Sequence, residues 1–204
     1  MGYTVLYGGT FHPVHNGHVQ MAAAAAEWPQ ADEVWVIPSF SPVHKAAPNA
    51  KQMAQHRLQM CKLGFADLPK VRICDIELAE PLSGYTYDTL QRLKTLYPQK
   101  KFAFLVGTDM LFCFERWYKA PQLLQQMHLL VVLRAGDSET QLQAVVSDLQ
   151  SKYGAKITVL PQNVQGVSST QVRERLQSGQ NVADLVPLGV LQYMQQNGLY
   201  GLGE

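Results

Sequence analysis

The sequence lacks a marked excess of either charge. Its 204 residues include 17 lysines and arginines and 16 aspartates and glutamates, which leave a net charge of +1. Proteins that bind nucleic acids or anionic membranes through their overall field are strongly basic, so we expect neither partner here. An anionic substrate would have to be bound by a local group of residues.

Targeting segments, repeats and cysteine patterns are also absent. No apolar run reaches the ~20 residues that span a membrane, and the first residues predict a strand rather than a signal peptide. The three cysteines are odd in number and lack metal-type spacing, which is typical of reduced thiols in a cytoplasmic protein. Without a repeat, a low-complexity segment or a linker, the chain is expected to form one domain over residues 1–204.

Short apolar runs alternate with helical patterns along almost the whole chain. Most of these runs are nearly continuous in apolar residues, as expected for strands buried on both faces of a sheet. The pattern predicts an α/β fold, a Rossmann-like parallel sheet with helices on both faces, with C-terminal helices from about residue 168. In such a sheet, ligands bind beyond the carboxyl ends of the strands. The predicted strands are Thr4–Tyr7, Glu33–Ile37, Lys70–Ile76, Phe102–Val106, His128–Leu133 and Ile157–Leu160.

A strand-to-helix turn is predicted between the first strand and the helix formers Val19–Glu27. It has the sequence Gly8-Gly9-Thr10-Phe11-His12-Pro13-Val14-His15-Asn16-Gly17-His18. Its two leading glycines can adopt backbone angles that are closed to other residues and let a ligand approach the main chain, and the free N–H groups of the new helix favour an anion. His15 and His18 lie on one side of the helix start, and Gly17 adds no bulk between them. Phosphate binding is therefore the first interpretation.

Two other interpretations of this turn stay open. His12, His15 and His18 would also suit a zinc ion, because neutral imidazoles are common zinc ligands. Histidines at such positions also cap helices or pack in a core. No cysteine is near, and the glycines of the turn suit a phosphate better than a metal. A metal site therefore ranks second and a purely structural role third.

A second anion-binding signal lies towards the carboxyl end of the chain, in Gly166-Val167-Ser168-Ser169-Thr170-Gln171-Val172-Arg173. Ser168 and Gln171 fit a capping box, which would explain the serine without any ligand. Two serines, a threonine and an arginine one turn later also form a set of hydroxyl and guanidinium donors at a helix start. Such a set suits a triphosphate.

Polar and aromatic groups also follow other predicted strands. Asp109 comes directly after the fourth strand, where a carboxylate can accept ribose hydroxyls or cap a helix. Trp117 is either a core residue or a stacking surface for a planar base. Arg134 ends the fifth strand. Lys45 lies in a proline-containing loop after the second strand, where an isolated lysine is most often a surface charge, and Arg57 is expected on the surface of the next helix.

The segment Ser83–Leu90 predicts the start of another helix. Ser83 or Thr86 would cap this helix, and Asp88 in its first turn would complement the helix dipole. That structural role is sufficient by itself. The functional alternative is that the turn presents backbone N–H groups to the carboxylate of a ligand.

Together these segments resemble the HxGH nucleotidyltransferase superfamily. The first turn is similar to its Gly-Gly-Thr-Phe-x-Pro-x-His-x-Gly-His signature, with His15-Asn16-Gly17-His18 as the tetrad, and the late segment is similar to its Ser-Ser-Thr-x-x-Arg signature. Tyr-Thr-x-Asp-Thr-Leu at residues 85–90 resembles the nicotinate-nucleotide adenylyltransferase family. The chain departs from that family at His12, where the usual residue is Asp, and at Val43, which replaces the second Pro of a Pro-Pro-His-Lys loop.

The resemblance implies a reaction in which AMP passes from ATP to nicotinate mononucleotide. The products would be nicotinate adenine dinucleotide and pyrophosphate, in NAD biosynthesis, and Mg²⁺ is expected to arrive with ATP. The alternatives are an adenylyltransferase for nicotinamide mononucleotide or another phosphorylated acceptor, a metal-dependent hydrolase, or a catalytically silent nucleotide sensor. The implied partners are these small molecules, and a homo-oligomer stays open.

The resemblance also implies which residues act, with no residue acting as a metal ligand. The implied catalytic residues are His15, His18 and Arg173. The implied ATP-binding residues are Gly8, Gly9, Thr10, Phe11, His15, His18, Arg134, Ser168, Ser169, Thr170 and Arg173. The implied mononucleotide-binding residues are Lys45, Tyr85, Thr86, Gly107, Asp109 and Trp117.

Overall fold

The computed structural model describes residues 2–40, 50–80 and 82–202 of the chain. Its strands are β1 (Tyr3–Gly9), β2 (Ala31–Pro38), β3 (Val71–Ile73), β4 (Lys101–Gly107), β5 (His128–Arg134) and β6 (Lys156–Val164). They form one parallel sheet in the order β3-β2-β1-β4-β5-β6. The predicted parallel α/β fold is thus confirmed.

Helices cover both faces of this sheet. They are α1 (Asn16–Glu27), α2 (Ala50–Gly64), α3 (Ile76–Ala79), α4 (Thr86–Leu96), α5 (Thr108–Leu111), α6 (Ala120–Gln126), α7 (Glu139–Tyr153), α8 (Ser169–Gln177) and α9 (Leu188–Gln196), with 3-10 turns at Phe114–Arg116 and Leu199–Gly201. None of the helices in the described segments is long and apolar enough to cross a membrane.

Alternate strand residues supply two separate apolar cores. Val5 and Tyr7 of β1 pack with α1, α2, α8 and α9 on one face of the sheet. Leu6, between them, packs on the other face with apolar side chains of α3 to α7. Because successive strand side chains point to opposite faces, a nearly continuous apolar run is what a doubly covered strand requires.

The third strand is shorter than the sequence predicts. The prediction covers Lys70–Ile76, but the structure has only Val71–Ile73 in β3, and Ile76 is the first residue of α3. β3 is an edge strand that pairs with β2 alone. The apolar run continues through a buried helical turn, and an apolar run by itself does not distinguish such a turn from a strand.

The direction in which the chain winds across the sheet reverses between β1 and β4. The connection from β1 leads outward to β2 and β3, and the connection from β4 leads outward to β5 and β6. Such a reversal leaves a crevice beyond the carboxyl ends of the two central strands. Gly8 and Gly9 end β1 at this crevice, and Gly107 ends β4.

The same substitution at a buried and an exposed leucine tests the core. Leu130 of β5 is fully buried, so Leu130→Ala is expected to lower the free energy of unfolding by about 2–5 kcal/mol through lost burial and a residual cavity. Leu188 is 70% exposed, and Leu188→Ala should change it by no more than about 0.5 kcal/mol. Urea titrations measure both values, and equal losses would contradict this packing.

Candidate active site

A cleft of about 670 Å³ lies at the carboxyl ends of β1 and β4. The predicted site residues that line it are Gly8, Gly9, Thr10, Phe11, His15, His18, Tyr85, Thr86, Gly107, Asp109, Trp117, Arg134, Ser168 and Ser169. Thr170 and Arg173 are described but are not part of this lining, and Lys45 lies outside the described residues. The fold therefore brings segments that are distant in the sequence to one cleft.

His15 and His18 close the start of α1 with their own rings. His15 is the N-cap residue, and its Nδ1 accepts the backbone N–H of His18 at 3.3 Å, while Nδ1 of His18 accepts the backbone N–H of His15 at 3.2 Å. The two rings are stacked, with centroids 3.5 Å apart. This reciprocal bonding is a capping box made of two imidazoles, and it fixes both rings at the cleft.

The capping bonds decide which ring nitrogen carries the proton. Because Nδ1 of each ring accepts a backbone N–H, the neutral imidazoles carry their proton on Nε2. Burial, with help from the Arg134 charge, lowers the pKa of His15 to about 4. Burial, His15 and Arg134 hold the pKa of His18 well below its usual value. Near neutral pH the pair thus offers two uncharged Nε2–H donors.

Gly17 permits this close pairing. A Cβ at this position would lie 3.1 Å from Nδ1 of His15 and 3.1 Å from the carbonyl oxygen of Gln165. Both contacts are tighter than ordinary van der Waals contact, so a larger residue would displace the imidazole or the neighbouring backbone. The space left by Gly17 is therefore what allows the two rings to lie this close.

The expectation that Gly8 and Gly9 adopt backbone angles closed to other residues is wrong. Both residues continue the strand, paired in register with Ile37 and Pro38, and neither has a positive φ. The positive φ in this turn belongs to Phe11, at 48°. A Cβ on Gly9 would lie 3.0 Å from the Phe11 ring, so this glycine is required for space rather than for backbone freedom.

The second motif packs directly on the first. Ser168 is the N-cap of α8, and its Oγ accepts the backbone N–H of Gln171 at 3.1 Å, as the capping interpretation predicts. Ser169 Oγ donates to the carbonyl of Pro13 at 2.9 Å. That bond occupies its hydroxyl proton, whereas the hydroxyl proton of Ser168 is not used by its capping bond.

Arg173 reaches the same turn from one helical turn further on. Its Nη1 donates to the carbonyl of His12 at 2.6 Å, and its Nη2 donates to Thr170 Oγ1 at 3.1 Å. The two predicted anion-binding motifs are therefore hydrogen-bonded to each other. In this arrangement the guanidinium orders the first motif from behind the cleft, and part of its donor capacity is already used.

Asp109 and Arg134 form an ion pair across the cleft wall. Nη1 of Arg134 lies 2.8 Å from Oδ2 of Asp109. A Cβ on Gly107 would lie 2.7 Å from Oδ1 of Asp109 and 3.2 Å from Nε of Arg134, so Gly107 makes room for the pair. The family resemblance implies different substrates for these two charges, and the fold places them in contact.

The start of α4 forms another part of the lining. The prediction that Ser83 or Thr86 caps this helix is wrong: the N-cap residue is Tyr85, without a side-chain bond to the helix, and Thr86 is the first helical residue. Ser83 Oγ instead accepts the backbone N–H of Tyr85 at 3.1 Å and bonds to Asp88 Oδ2 at 2.5 Å. The first backbone N–H groups of α4 therefore have no side-chain cap among the described residues.

Aromatic rings line the cleft beside this helix start. Trp117 stacks on Phe114 with ring centroids 4.6 Å apart, and its edge meets Phe104. Tyr85 lies against Tyr118, with centroids 4.7 Å apart, and both rings are partly exposed. Trp117 is half-buried, so it is both a core residue and a cleft residue.

The prediction for Arg57 is wrong. It is only 4% exposed, and its guanidinium donates to the carbonyls of Thr10 at 2.8 Å and Phe40 at 2.7 Å. Burial lowers the pKa of this side chain. Its position in α2 was the available signal, because Arg57 follows Ala54 by three residues and precedes Cys61 by four on the buried face.

Glu77 lines the cleft although no sequence pattern singled it out. It lies in α3, is buried, and its Oε1 accepts the hydroxyl of Thr89 at 2.6 Å. Burial raises the pKa of this carboxyl, and the bond from Thr89 opposes that effect. A carboxylate directly after the predicted third strand was the signal, since site residues gather at that edge of the sheet.

The described residues do not favour the zinc alternative. Within residues 2–40, 50–80 and 82–202, no group of three or more His, Cys, Asp or Glu side chains could hold a metal ion. Nδ1 of His15 and of His18 is occupied by a backbone N–H. The ring of His12 packs against Tyr200 instead, with centroids 5.2 Å apart.

The fold and the cleft define an α/β nucleotidyltransferase, and residues 6–175 match the family model described as Cytidylyltransferase-like. Two relatives, each named "Probable nicotinate-nucleotide adenylyltransferase", come from Oceanobacillus iheyensis and Dehalococcoides mccartyi (strain CBDB1). They are 35% identical over 198 residues and 36% identical over 201 residues, and each comparison covers 97% of this chain and 96% of the relative. The chain belongs to the nicotinate-nucleotide adenylyltransferase family, which confirms the resemblance drawn from its motifs.

A solved structure agrees with this fold. It is the Plasmodium falciparum nicotinic acid mononucleotide adenylyltransferase complexed with NaAD, with a TM-score of 0.80. The match covers 100% of this chain and 99% of that one at 19% sequence identity. At this level of identity the comparison bears on the fold alone.

The protonation state of His15 has a measurable consequence for stability. Its pKa is about 4 in the folded chain and about 6.5 when unfolded, so between these values only the unfolded chain takes up the proton. The stability contribution is therefore present above about pH 6.5 and is lost as the pH falls towards 4. His15→Asn keeps a good N-cap but does not titrate, so its free energy of unfolding should fall less between pH 7 and 5.

Side-chain ¹⁵N NMR at pH 6 gives the direct measurement. We expect His15 as the neutral Nε2–H tautomer, because its Nδ1 accepts the backbone N–H of His18. An imidazolium signal, or the Nδ1–H tautomer, would contradict the capping geometry.

Proposed function

We propose that this protein transfers AMP from ATP to nicotinate mononucleotide, forming nicotinate adenine dinucleotide and releasing pyrophosphate, as a step of NAD biosynthesis. The observation that carries the proposal is the stacked His15–His18 pair, which offers two Nε2–H donors in a cleft shared with the starts of α4 and α8. Membership of the nicotinate-nucleotide adenylyltransferase family supports the choice of reaction. One domain over residues 1–204 contains both substrate sites.

The chemistry requires positioning more than proton transfer. The phosphate of the mononucleotide is already anionic, so it attacks the α-phosphorus of ATP without a general base. The bond from the α-phosphorus to the bridging oxygen breaks, and pyrophosphate leaves with the electron pair. Alignment of the two phosphates and stabilisation of the charge on the leaving group then account for the rate. No covalent enzyme intermediate is formed.

The histidine pair and α8 bind the phosphates of ATP. His15 and His18 donate from Nε2 to oxygens on which negative charge develops, and their neutral state avoids a like-charge penalty between stacked rings. Ser168 donates its free hydroxyl proton, and the start of α8 supplies backbone N–H groups. Arg173 binds the β and γ groups with the hydroxyl of Thr170 and the backbone N–H of Ser169, and it uses the donors that its bonds to His12 and Thr170 leave over.

Backbone groups of the first turn and the charge of Arg134 complete the ATP site. Gly8 and Gly9 bring the main chain next to the adenylate, followed by Thr10 and Phe11. Arg134 lies close enough to both histidines to lower their pKa values, so it reaches the same phosphate region.

The mononucleotide occupies the side of the cleft that carries the aromatic rings. Asp109 accepts ribose hydroxyls beside the backbone of Gly107, and Trp117 stacks on the pyridine. The turn at Tyr85-Thr86 binds the pyridine carboxylate through the N–H of Thr86, since the N–H of Tyr85 already donates to Ser83 Oγ. Lys45 steers the incoming phosphate.

The donor set suits an ion that is carried by ATP. Within the described segments, Asp109 pairs with Arg134 and Glu77 accepts a bond from Thr89. Neither cleft carboxylate is therefore free to act as a ligand of a resident metal ion. Mg²⁺ would be held by phosphate oxygens and water, and it would offset phosphate charge there. Residues of this chain would orient the phosphates.

Removing either histidine tests the proposed mechanism. His18→Ala and His15→Ala should each lose roughly 10²–10³ in turnover at saturating ATP, the scale for one transition-state donor. His15→Asn should be equally impaired although it keeps an N-cap, which separates donor loss from helix destabilisation. His56→Ala is the control, because His56 bonds to Tyr193 and does not line the cleft. Near-normal turnover in His15→Ala or His18→Ala would refute the role proposed for that histidine.

Substrate choice is tested by comparing kcat/KM for nicotinate and nicotinamide mononucleotides at one ATP concentration. The uncapped start of α4 favours an anion, since charge-assisted bonds exceed neutral ones by about 1–2 kcal/mol each. Asp88 and Glu77 oppose this preference with nearby carboxyl groups. One or two such bonds predict roughly tenfold to several-hundredfold discrimination in favour of the acid.

Pyrophosphate release in the same assay separates the alternatives. A ratio near one, or one that favours the amide, would reject the acid assignment and retain adenylyl transfer. No pyrophosphate with any mononucleotide would indicate a nucleotide sensor. Hydrolysis that depends on a protein-bound metal, found by metal analysis of the purified protein, would indicate a hydrolase.

A further inference from the structure

The ladder between β1 and β2 ends beneath the cleft. Gly9 pairs in register with Pro38, and the N–H of Ser39 donates to the carbonyl of Gly9 at 2.9 Å. Beyond this bond the two chain segments separate, as Thr10 enters the first turn and Phe40 continues away from the strand. The carbonyls of these two residues accept their hydrogen bonds from a side chain instead of from the sheet.

Arg57 supplies both donors from α2. Its Nη1 donates to the carbonyl of Thr10 at 2.8 Å and its Nη2 to the carbonyl of Phe40 at 2.7 Å. The guanidinium is planar, so these two donors hold their acceptors at a fixed separation, which a lysine ammonium would not do. The side chain thus links the two chain segments just beyond the last backbone hydrogen bond between β1 and β2.

The two hydrogen bonds of Arg57 matter for the cleft because residues at or next to their acceptors line it. Thr10 is itself a lining residue, and Ser39, next to Phe40, is another. Thr10 belongs to the turn proposed to bind ATP. Arg57 therefore connects the main chain of the two segments that leave β1 and β2 at the cleft.

A buried charge is an expensive way to make two hydrogen bonds. Arg57 is 4% exposed, and no carboxylate within the described residues forms an ion pair with it. Glu77 acts on it only at longer range. Apolar residues often replace buried charges without loss of stability, so stability alone does not account for this arginine.

We propose that Arg57 is a positioning residue for adenylyl transfer: its fork holds Thr10 and Phe40 in the relation that aligns the two reacting phosphates. The inference rests on the proposed function, because the alignment concerns ATP and the mononucleotide. Arg57 itself touches backbone carbonyls and not the substrates. Replacing Arg57 should therefore lower kcat by a larger factor than it weakens the binding of either substrate.

The test compares Arg57→Met, which keeps side-chain length without donors, with Arg57→Lys, which keeps the charge without the fork. Lys62→Met is the matched control, since it removes a long cation from an exposed position of α2. We expect both Arg57 variants to lose roughly 10²-fold in kcat/KM, mainly through kcat, as for a misplacement of about 1 Å between reacting groups. Dissociation constants for ATP and for the mononucleotide, measured separately, should change only about two- to fivefold.

A purely structural role would give a different result. Thermal unfolding and near-ultraviolet circular dichroism define the folded fraction of each variant, and a structural role would leave kcat per folded molecule unchanged. Such an outcome in Arg57→Met overturns the proposal. If Arg57→Met does not fold, Arg57→Lys decides: activity close to that of Lys62→Met shows that charge suffices and also overturns it.

Wild-type activity distinguishes failure of this inference from failure of the proposed function. If the wild-type protein releases no pyrophosphate from ATP with either mononucleotide, the proposed function fails. If the wild type is active and the Arg57 variants are equally active, only the positioning role fails. Added guanidinium ion at low millimolar concentration should partly restore kcat in Arg57→Ala, and no restoration in a folded Arg57→Ala would contradict the role of the fork.

Discussion

The start of α1 is closed by the same two imidazoles that face the cleft, and the rest of the site depends on this arrangement. Each ring satisfies a backbone N–H of the other histidine, so helix capping and donor orientation are one interaction. Gly17 leaves space for the stacked rings, and Ser169 of the second motif bonds to the carbonyl of Pro13 in the same turn. Movement of either support would alter the direction of both Nε2–H groups.

Three arginine charges act on the histidines of the first turn. Arg134 lowers the pKa of both stacked histidines, and Arg57 and Arg173 lower that of His12, in each case after burial itself. The site therefore keeps its imidazoles uncharged near neutral pH while concentrating guanidinium groups around them. A bound polyphosphate would compensate these charges, which gives the cleft a physical preference for anions although the whole chain carries a net charge of only +1.

Three side chains support the turn by bonding to its backbone carbonyls. Arg57 holds the carbonyl of Thr10, Arg173 holds that of His12, and Ser169 holds that of Pro13. These donors come from α2 and α8, which pack on the same face of the sheet. The loop has little regular structure of its own, and it is defined by groups from helices distant in the sequence.

The sequence by itself determined the alternation of strands and helices, the parallel α/β class and the two anion-binding motifs, because apolar periodicity and capping chemistry act over a few residues. The spacing of His15 and His18 likewise predicted one shared face. Tertiary structure decided the short β3, the burial of Arg57 and the contact of Asp109 with Arg134. These features depend on which distant carbonyl or charge the fold brings within hydrogen-bond distance, and no local pattern contains that information.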